Sequence, residues 1–384
     1  MNILVSGGGI FGVTAAIALR ARGHAVTLVD PGPLPHPLAE STDLSKVVRI
    51  DYGSDADYTA LGERALDGWR RWNAGWPRPL FHETGVTFLA RAPMQPGGFE
   101  HDSYALLTAR GHVLERLDAQ AIAKRFPAYA PGAMVDGYYN PLGGWASAGA
   151  VVDQLAREAA AAGVAIRAAR VERVVDRGAL VDGEVVRADL VVVCAGAWAP
   201  LVVPELAPVL RAVGQPVFHL RPRDPALFEA ARFPVFGADI SRTGYYGFPL
   251  ERGVVKIANH GTGRAIAPDA SAREVDAAAE RALREMLATT FPALADAPIA
   301  YRRLCVYCDT LDEHFWIARH PDRPGVAIAT GGSGHAFKFA PVLGELIATI
   351  ALGEPHPLAA KFRWRPELCA PARAEAARHH EPSS

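Results

Sequence analysis

The chain has 384 residues, half of them hydrophobic, with four cysteines, a formal net charge of −1 and a pI near 6.9. That length exceeds what one hydrophobic core supports, so two domains are expected, and the balanced charge gives no reason to seek nucleic acid or an anionic membrane as a partner. Cys194, Cys305, Cys308 and Cys369 are too few and too scattered for a disulfide framework, which fits a cytoplasmic protein, and no run is long enough to cross a bilayer.

Asn2 to Asp30 reads as strand, turn, helix, strand. Ile3 to Val5 is a short apolar run, Gly7, Gly9 and Gly12 give the G-x-G-x-x-G spacing, Thr14 to Arg22 is helix-forming, and Ala25 to Val29 is a second strand ending on Asp30. Gly7 permits the tight turn, Gly9 lets the backbone approach a pyrophosphate, and Gly12 allows close helix-to-strand packing, so the helix N-terminus faces the phosphates. Asp30 falls roughly 20 residues on, where an acid accepts from the adenosine ribose hydroxyls and disfavours a 2′-phosphate, leaving FAD or NAD. The apolar start lacks a basic flank and is broken by glycine, so it is a first strand and not a secretion signal.

Pro31 to Pro37 is a proline-rich connection into Ser41 to Gly53, STDLSKVVRIDYG. Lys46 and Arg49 in this run could meet one ligand from a helical turn or a bent strand, or could be solvated surface charges. Tyr58 to Trp76 has helical spacing, with Trp69 and Trp72 as packing residues. From Pro77 to Asp136 the pattern turns to short β-like pieces such as Gly85 to Leu89, with a helix around Asp118 to Arg125.

Ser147 to Ala162 predicts an alanine-rich helix, Val164 to Ala168 a strand, and Val171 to Val175 the start of a meander. Ala188 to Trp198 is an almost fully apolar stretch of the kind found in buried parallel strands, and Cys194 within it reads as an inert thiol. Alternation from Pro216 to Ile299 predicts antiparallel strands, including Tyr245 to Pro249 and Gly253 to Ala258, then an amphipathic helix near Ala272 to Thr289. Lys256 sits on a strand and His260 lies four residues on; spacing alone leaves open a solvent-side lysine and a structural histidine.

The pair Cys305 and Cys308 could be half a zinc site or a redox pair, yet no second Cys or His pair with ligand spacing accompanies it, so no metal is expected. Val326 to Thr330 is another buried strand. Gly331, Gly332 and Gly334 then open the helix Pro341 to Leu352, a second glycine-rich helix start suited to a polar part of a cofactor. Ala370 to Ser384 has no core pattern and is expected to fray.

Gly7 to Gly12 with Asp30, Lys46-x-x-Arg49, Tyr246-Gly-Phe-Pro249, Lys256 with His260, Cys305-x-Tyr307, Asp312-Glu-His314 and Gly334-His-Ala-Phe-Lys338 occur in that order. Together they resemble the monomeric sarcosine oxidase family, within the D-amino-acid oxidase-like flavoproteins; fructosyl-amino-acid and pipecolate oxidases are relatives. The resemblance implies an α/β fold, with a Rossmann-type FAD-binding domain and a discontinuous antiparallel-sheet (α+β) substrate domain. The FAD-binding segments would be 1–80, 141–215 and 311–370, the substrate segments 81–140 and 216–310, and 371–384 a flexible tail.

By the same resemblance Cys305 is the thiol that attaches covalently to FAD, while Cys308 has no counterpart. Lys256 is similar to the lysine that promotes reaction with molecular oxygen, for which a fixed cation in a water-poor site is suited. Arg49 and Lys338 match the pair that binds a substrate carboxylate. Tyr246, His260 and Tyr307 fall on positions beside the substrate. Gly7, Gly9, Ile10, Phe11, Gly12, Asp30, Ser45, Lys46, Val171, Ala195, Gly196, Trp198, Gly332, Gly334, His335 and Lys338 are the implied cofactor contacts.

The implied activity is oxidation of the C–N bond of a secondary amine or N-substituted amino acid, giving an imine that hydrolyses, and hydrogen peroxide, by a monomer. Lys46 replaces an arginine of the sarcosine oxidases, and STDLSKVVRIDYG is closer to the fructosyl-amino-acid oxidases. A fructosyl-amino-acid or cyclic imino acid substrate is therefore an alternative, as is a dehydrogenase with an acceptor other than oxygen. A binding module without turnover would have no use for the oxygen-activating lysine.

Overall fold

The computed structural model describes residues 1–270 and 273–368; the expected tail at 371–384 and Cys369 lie outside the described residues. Its first sheet has six strands in the order Trp316–Arg319, Val326–Thr330, Leu190–Val193, Asn2–Ser6, Ala25–Asp30 and Ala165–Ala168. All pair in parallel except Trp316–Arg319, which runs antiparallel to its neighbour. Strand alternation explains why the central strands are apolar at every position over 3–5, 190–193 and 326–329. Ile3, Val5, Leu190 and Val192 face one core with the helices Ile10–Ala21, Ala148–Ala161 and Ala340–Ala351, whereas Leu4, Val191 and Val193 face another. That second core is closed by the meander Val171–Val175, Gly178–Val181 and Glu184–Arg187.

The expected elements appear with shifted ends. The first helix begins at Ile10, inside the glycine run, so Gly12 lies in its opening turns. The apolar stretch 188–198 is a strand only over Leu190–Val193, because Gly196 at φ 53° turns the chain into the short helix Gly196–Trp198. The amphipathic helix runs Ala277–Thr290 and starts there because the Asp276 side chain accepts from Ala279 N. Asp55 and Asp118 cap Ala56–Gly75 and Ala119–Arg125 in the same way.

The second sheet has nine strands and is antiparallel except where Val235–Ala238 runs parallel to Val86–Ala90. Its strands come from 86–140 and 210–310, and Leu210–Leu220 straddles the expected segment end at 215. Phe218, Phe228, Phe233, Phe236 and Phe291 are nearly fully buried on one side of it, against Leu283 and Leu287 of the amphipathic helix. Burying each ring contributes roughly 2 kcal/mol. The long pair Leu210–Leu220 and Ile299–Thr310 ties the two sheets together: Leu210, Val306 and Cys308 belong to the core under the parallel sheet, while Phe218 and Leu220 belong to the other. A third, three-stranded sheet of Lys46–Val48, Gly144–Ala146 and Phe81–His82 lines up Lys46 on a strand, which answers the open question of helical turn or strand. Among the described residues no helix is long and apolar enough to cross a membrane.

Candidate active site

At the carboxyl end of the parallel strands the glycine loop is locked by its own geometry. Gly7 has φ 101°, and a Cβ there would stand 2.5 Å from the Cys194 carbonyl oxygen; a Cβ on Gly12 would stand 1.7 Å from the Gly7 carbonyl oxygen. Gly7 N donates to Val29 O at 2.8 Å, Gly8 N to Asp30 Oδ2 at 2.7 Å, and Ile10 N to Ser41 Oγ at 2.9 Å. Asp30 thus holds the loop as well as lining the space in front of it, a fastening role its spacing did not reveal.

That space is a cavity of about 330 Å³. Gly7, Gly9, Ile10, Phe11, Asp30, Lys46, Val171, Ala195, Gly196, Trp198, Gly332 and Gly334 all line it. Of the remaining expected contacts, Gly12 is packed behind the loop, and Ser45 is buried with its carbonyl turned to Lys256.

Lys46, Gly334 and Phe337 also line a smaller inner cavity of about 50 Å³, together with Arg49, Tyr246, His260, His335 and Lys338. Two segments far apart in sequence build its cationic wall. Arg49 is 7% exposed, its guanidinium 4.8 Å from the Tyr52 ring centre and 5.2 Å from that of Phe99. Lys338 is 2% exposed and donates to Tyr52 Oη at 2.9 Å and His335 O at 2.7 Å. Its own carbonyl accepts from the Trp69 indole at 2.7 Å, so the packing tryptophan of the second helix fixes the backbone that carries the cation.

Tyr307 does not reach either cavity surface. It lies behind Gly334, where a Cβ would stand 2.2 Å from its ring, and its hydroxyl is 3.3 Å from that of Tyr246. Burial raises the pKa of both phenols, so both stay neutral near pH 7. His260 packs against Tyr307 with ring centres 5.7 Å apart.

Lys256 is 1% exposed and is held by Asp43 Oδ2 at 2.6 Å and Ser45 O at 2.5 Å, over the Phe248 ring. Burial lowers its pKa to about 8, against the pull of the Asp43 charge, which raises it. Burial also works to raise the Asp43 carboxyl, but Lys256, His219, Lys46 and Arg303 outweigh it and hold that group far below the ordinary carboxylate range. Near pH 7 the pair is therefore a charged one. Neither Asp43 nor Tyr52 was singled out from sequence; the only signal was their position in the same Ser41 to Gly53 run as Lys46 and Arg49.

Alternation along Ile299–Thr310 separates the two cysteines of the Cys-x-x-Cys. Cys305 faces Val217, Ala258 and Tyr307, with its sulfur 3.9 Å from Lys46 Nζ. Cys308 faces the opposite core, 3.4 Å from Thr330 Oγ1, and burial pushes its thiol up to about 12. Facing apart, they cannot act as a redox pair. Cys194 is likewise a free thiol whose pKa is raised by burial.

A family model described as FAD dependent oxidoreductase matches residues 2–350. The chain is similar to monomeric sarcosine oxidase of Bacillus sp. (strain B-0618), 28% identical over 364 residues that cover 91% of this chain and 92% of the relative. It is also similar to N-methyl-L-tryptophan oxidase of Salmonella typhimurium, 27% identical over 368 residues, covering 92% and 95%. Among solved structures, the deglycating enzyme fructosamine oxidase (Amadoriase II) of Aspergillus fumigatus superposes with a TM-score of 0.83 at 27% identity, covering 96% of this chain and 90% of that one.

Proposed function

Since the chain belongs to the FAD dependent oxidoreductase family, we propose that it is an oxidase of the C–N bond in a secondary amine or N-substituted amino acid, releasing an imine that hydrolyses, and hydrogen peroxide. The residues present suit the cofactor. The groove is lined in part by Gly7 and Gly334, where a Cβ would clash, and it shares the wall residues Lys46, Gly334 and Phe337 with the cation-lined inner cavity. Bound there, FAD would supply the two-electron chemistry, and the protein supplies position and charge.

Arg49 and Lys338 are the groups suited to a substrate carboxylate, a guanidinium fork beside a point cation. Both are preset by partners other than substrate, so holding the carboxylate would cost little further side-chain ordering and would fix the neighbouring carbon for reaction. Tyr246, a neutral phenol, and His260 line the same cavity. Lys256, dry and cationic below pH about 8, is the group suited to charge developing on oxygen. Cys305 is the thiol proposed for covalent attachment, with Lys46 Nζ 3.9 Å from its sulfur. We keep the segment division given above, a monomer and a reducing, cytoplasmic compartment as parts of the same reading; the three described cysteines are free thiols.

The observation that carries the reading is the convergence of Arg49 and Lys338 on one small cavity that shares a wall with the dinucleotide groove. The test is anaerobic bleaching of the oxidised-flavin band by a panel of N-methyl, N-fructosyl and cyclic amino acids, followed by air. Bleaching with peroxide release on reoxidation is expected. Failure of every amine to bleach the band would refute the reading, and bleaching without peroxide would make the protein a dehydrogenase.

A further inference from the structure

Beyond the inner cavity lies an outer one of about 840 Å³, and His260 and His335 line both. The chain itself crosses the threshold: Gly237 and Ile240 line the inner space, while Asp239 and Ser241 line the outer. The walls of the outer cavity carry five acids, Asp55, Glu100, Asp102, Asp239 and Glu313, against one arginine, Arg242. Several of these charges are already used. Asp55 accepts from Lys361 Nζ through both oxygens at 2.7 Å, Asp102 accepts from Gly97 N and pairs with His101, and Glu100 accepts from the Ser241 hydroxyl through both oxygens.

Asp239 is different. It is 4% exposed, it lines the cavity, and its carboxylate has no hydrogen bond or ion pair among the described residues. A carboxylate that lines a cavity without a protein partner is open to a ligand that supplies the opposite charge. Its own backbone, at φ 53°, is a conformation that Asp and Asn tolerate better than other non-glycine residues, so the acid is set at the threshold by the turn that carries it. A metal is a poor answer, because no group of three or more His, Cys, Asp or Glu residues able to hold one occurs among the described residues.

We infer that the outer cavity is a subsite for a positively charged group at the far end of the substrate, with Asp239 as its contact. The substrate class is then an N-substituted basic amino acid: its carboxylate faces Arg49 and Lys338, and its side-chain cation extends past His260 to Asp239. This inference rests on the proposed oxidase reading and narrows its substrate. An acidic outer wall also repels amines whose far end is anionic, so the two cavities sort a substrate by the sign of charge at each end.

The test compares Nα-methyl-L-lysine with Nα-methyl-L-norleucine, which has the same carbon chain without the terminal amine, on the flavin-loaded full chain. The lysine derivative is expected to have a kcat/KM higher by about tenfold or more, as for a charge-assisted hydrogen bond. Asp239→Asn keeps the shape and the backbone preference, and is expected to reduce the ratio of the two kcat/KM values by about tenfold, with the norleucine derivative reporting that the variant is folded. Equal kcat/KM for the two compounds in the parent, or an unchanged ratio in the variant, would overturn the subsite. Calorimetric binding of the same two compounds separates this from the activity: tighter binding of the lysine derivative that Asp239→Asn removes supports the subsite even without turnover, in which case it is the oxidase reading that fails. Equal binding of both, with no turnover, refutes both.

Discussion

The groove and the inner cavity share the wall residues Lys46, Gly334 and Phe337 but are made of different material. The groove is built around a glycine loop: Gly7, Gly9, Ala195, Gly196 and Gly332 line it, and the loop's shape is set by hydrogen bonds between nearby segments. The inner cavity is walled by Lys46, Arg49, Lys338 and aromatic rings whose partners lie far off in sequence. On the proposed function one region recognises by shape and backbone donors and is expected to fail when a Cβ is added; the other acts by charge and is expected to fail when a charge is lost while the shape survives.

The contrast is broken most severely at Gly12. A methyl group there meets the Gly7 carbonyl oxygen at 1.7 Å, both atoms being on or next to rigid backbone, so the loop or the helix must move. Gly12→Ala is expected to cost about 3 kcal/mol of stability and to yield protein with little flavin. Thermal unfolding and the flavin absorbance per mole of purified chain measure the two effects.

Lys256→Met is the complementary change, a similar volume without charge. The rate of flavin reoxidation by air is expected to fall on the order of a hundredfold, the scale of removing one fixed electrostatic group from a dry site. Anaerobic reduction by the best amine should stay within a few-fold of the parent, and flavin content should not change. Reoxidation as fast as in the parent would remove Lys256 from the oxygen reaction. A loss of flavin would place it with the groove.

A smaller effect sharpens the role of Asp43. The Lys256 cation is complete below pH about 8 and is lost as pH rises through that value, so reoxidation should slow above it. The Asp43 charge holds that proton on, which means Asp43→Asn should release it at lower pH and move the fall in reoxidation rate down by about one pH unit. A pH profile of the reoxidation rate checks both, and a profile unmoved by the substitution would show that the carboxylate does not govern the lysine.

The same contrast decides what could be read from the sequence. Everything that makes the loop lies between Asn2 and Asp30, with the turn, the helix start and the acid at spacings fixed by local geometry. The parallel sheet was legible for a related reason: strands buried on both faces are apolar throughout. The inner cavity, and Lys256 behind its Phe248 wall, have no local signature. Lys256 meets Asp43 across 213 positions and Lys338 meets Tyr52 across 286, and an isolated strand lysine gives no sign of which face is dry. Resemblance supplied Lys256, Arg49 and Lys338, but it supplied neither Asp43 nor Tyr52, nor the Trp69 indole that holds the Lys338 backbone. The outer cavity has no signature in the sequence, because Asp239 gains its character from what fails to pair with it in three dimensions.

The smallest expected effect separates two thiols on one strand. Cys305 is turned toward Lys46 and the inner cavity side, and Cys308 toward Thr330 and the core beneath the parallel sheet. Cys308→Ala removes a buried sulfur and should cost about 1 kcal/mol with the yellow colour still held by acid-precipitated protein. Cys305→Ala, equally buried, should cost about the same, yet should release the flavin into the acid supernatant. Because the two positions differ by strand face and not by burial, each being 1% exposed, a flavin freed by Cys308→Ala and retained by Cys305→Ala would mean that the ring lies on the other side of this strand, and the inner cavity would lose its claim to the chemistry.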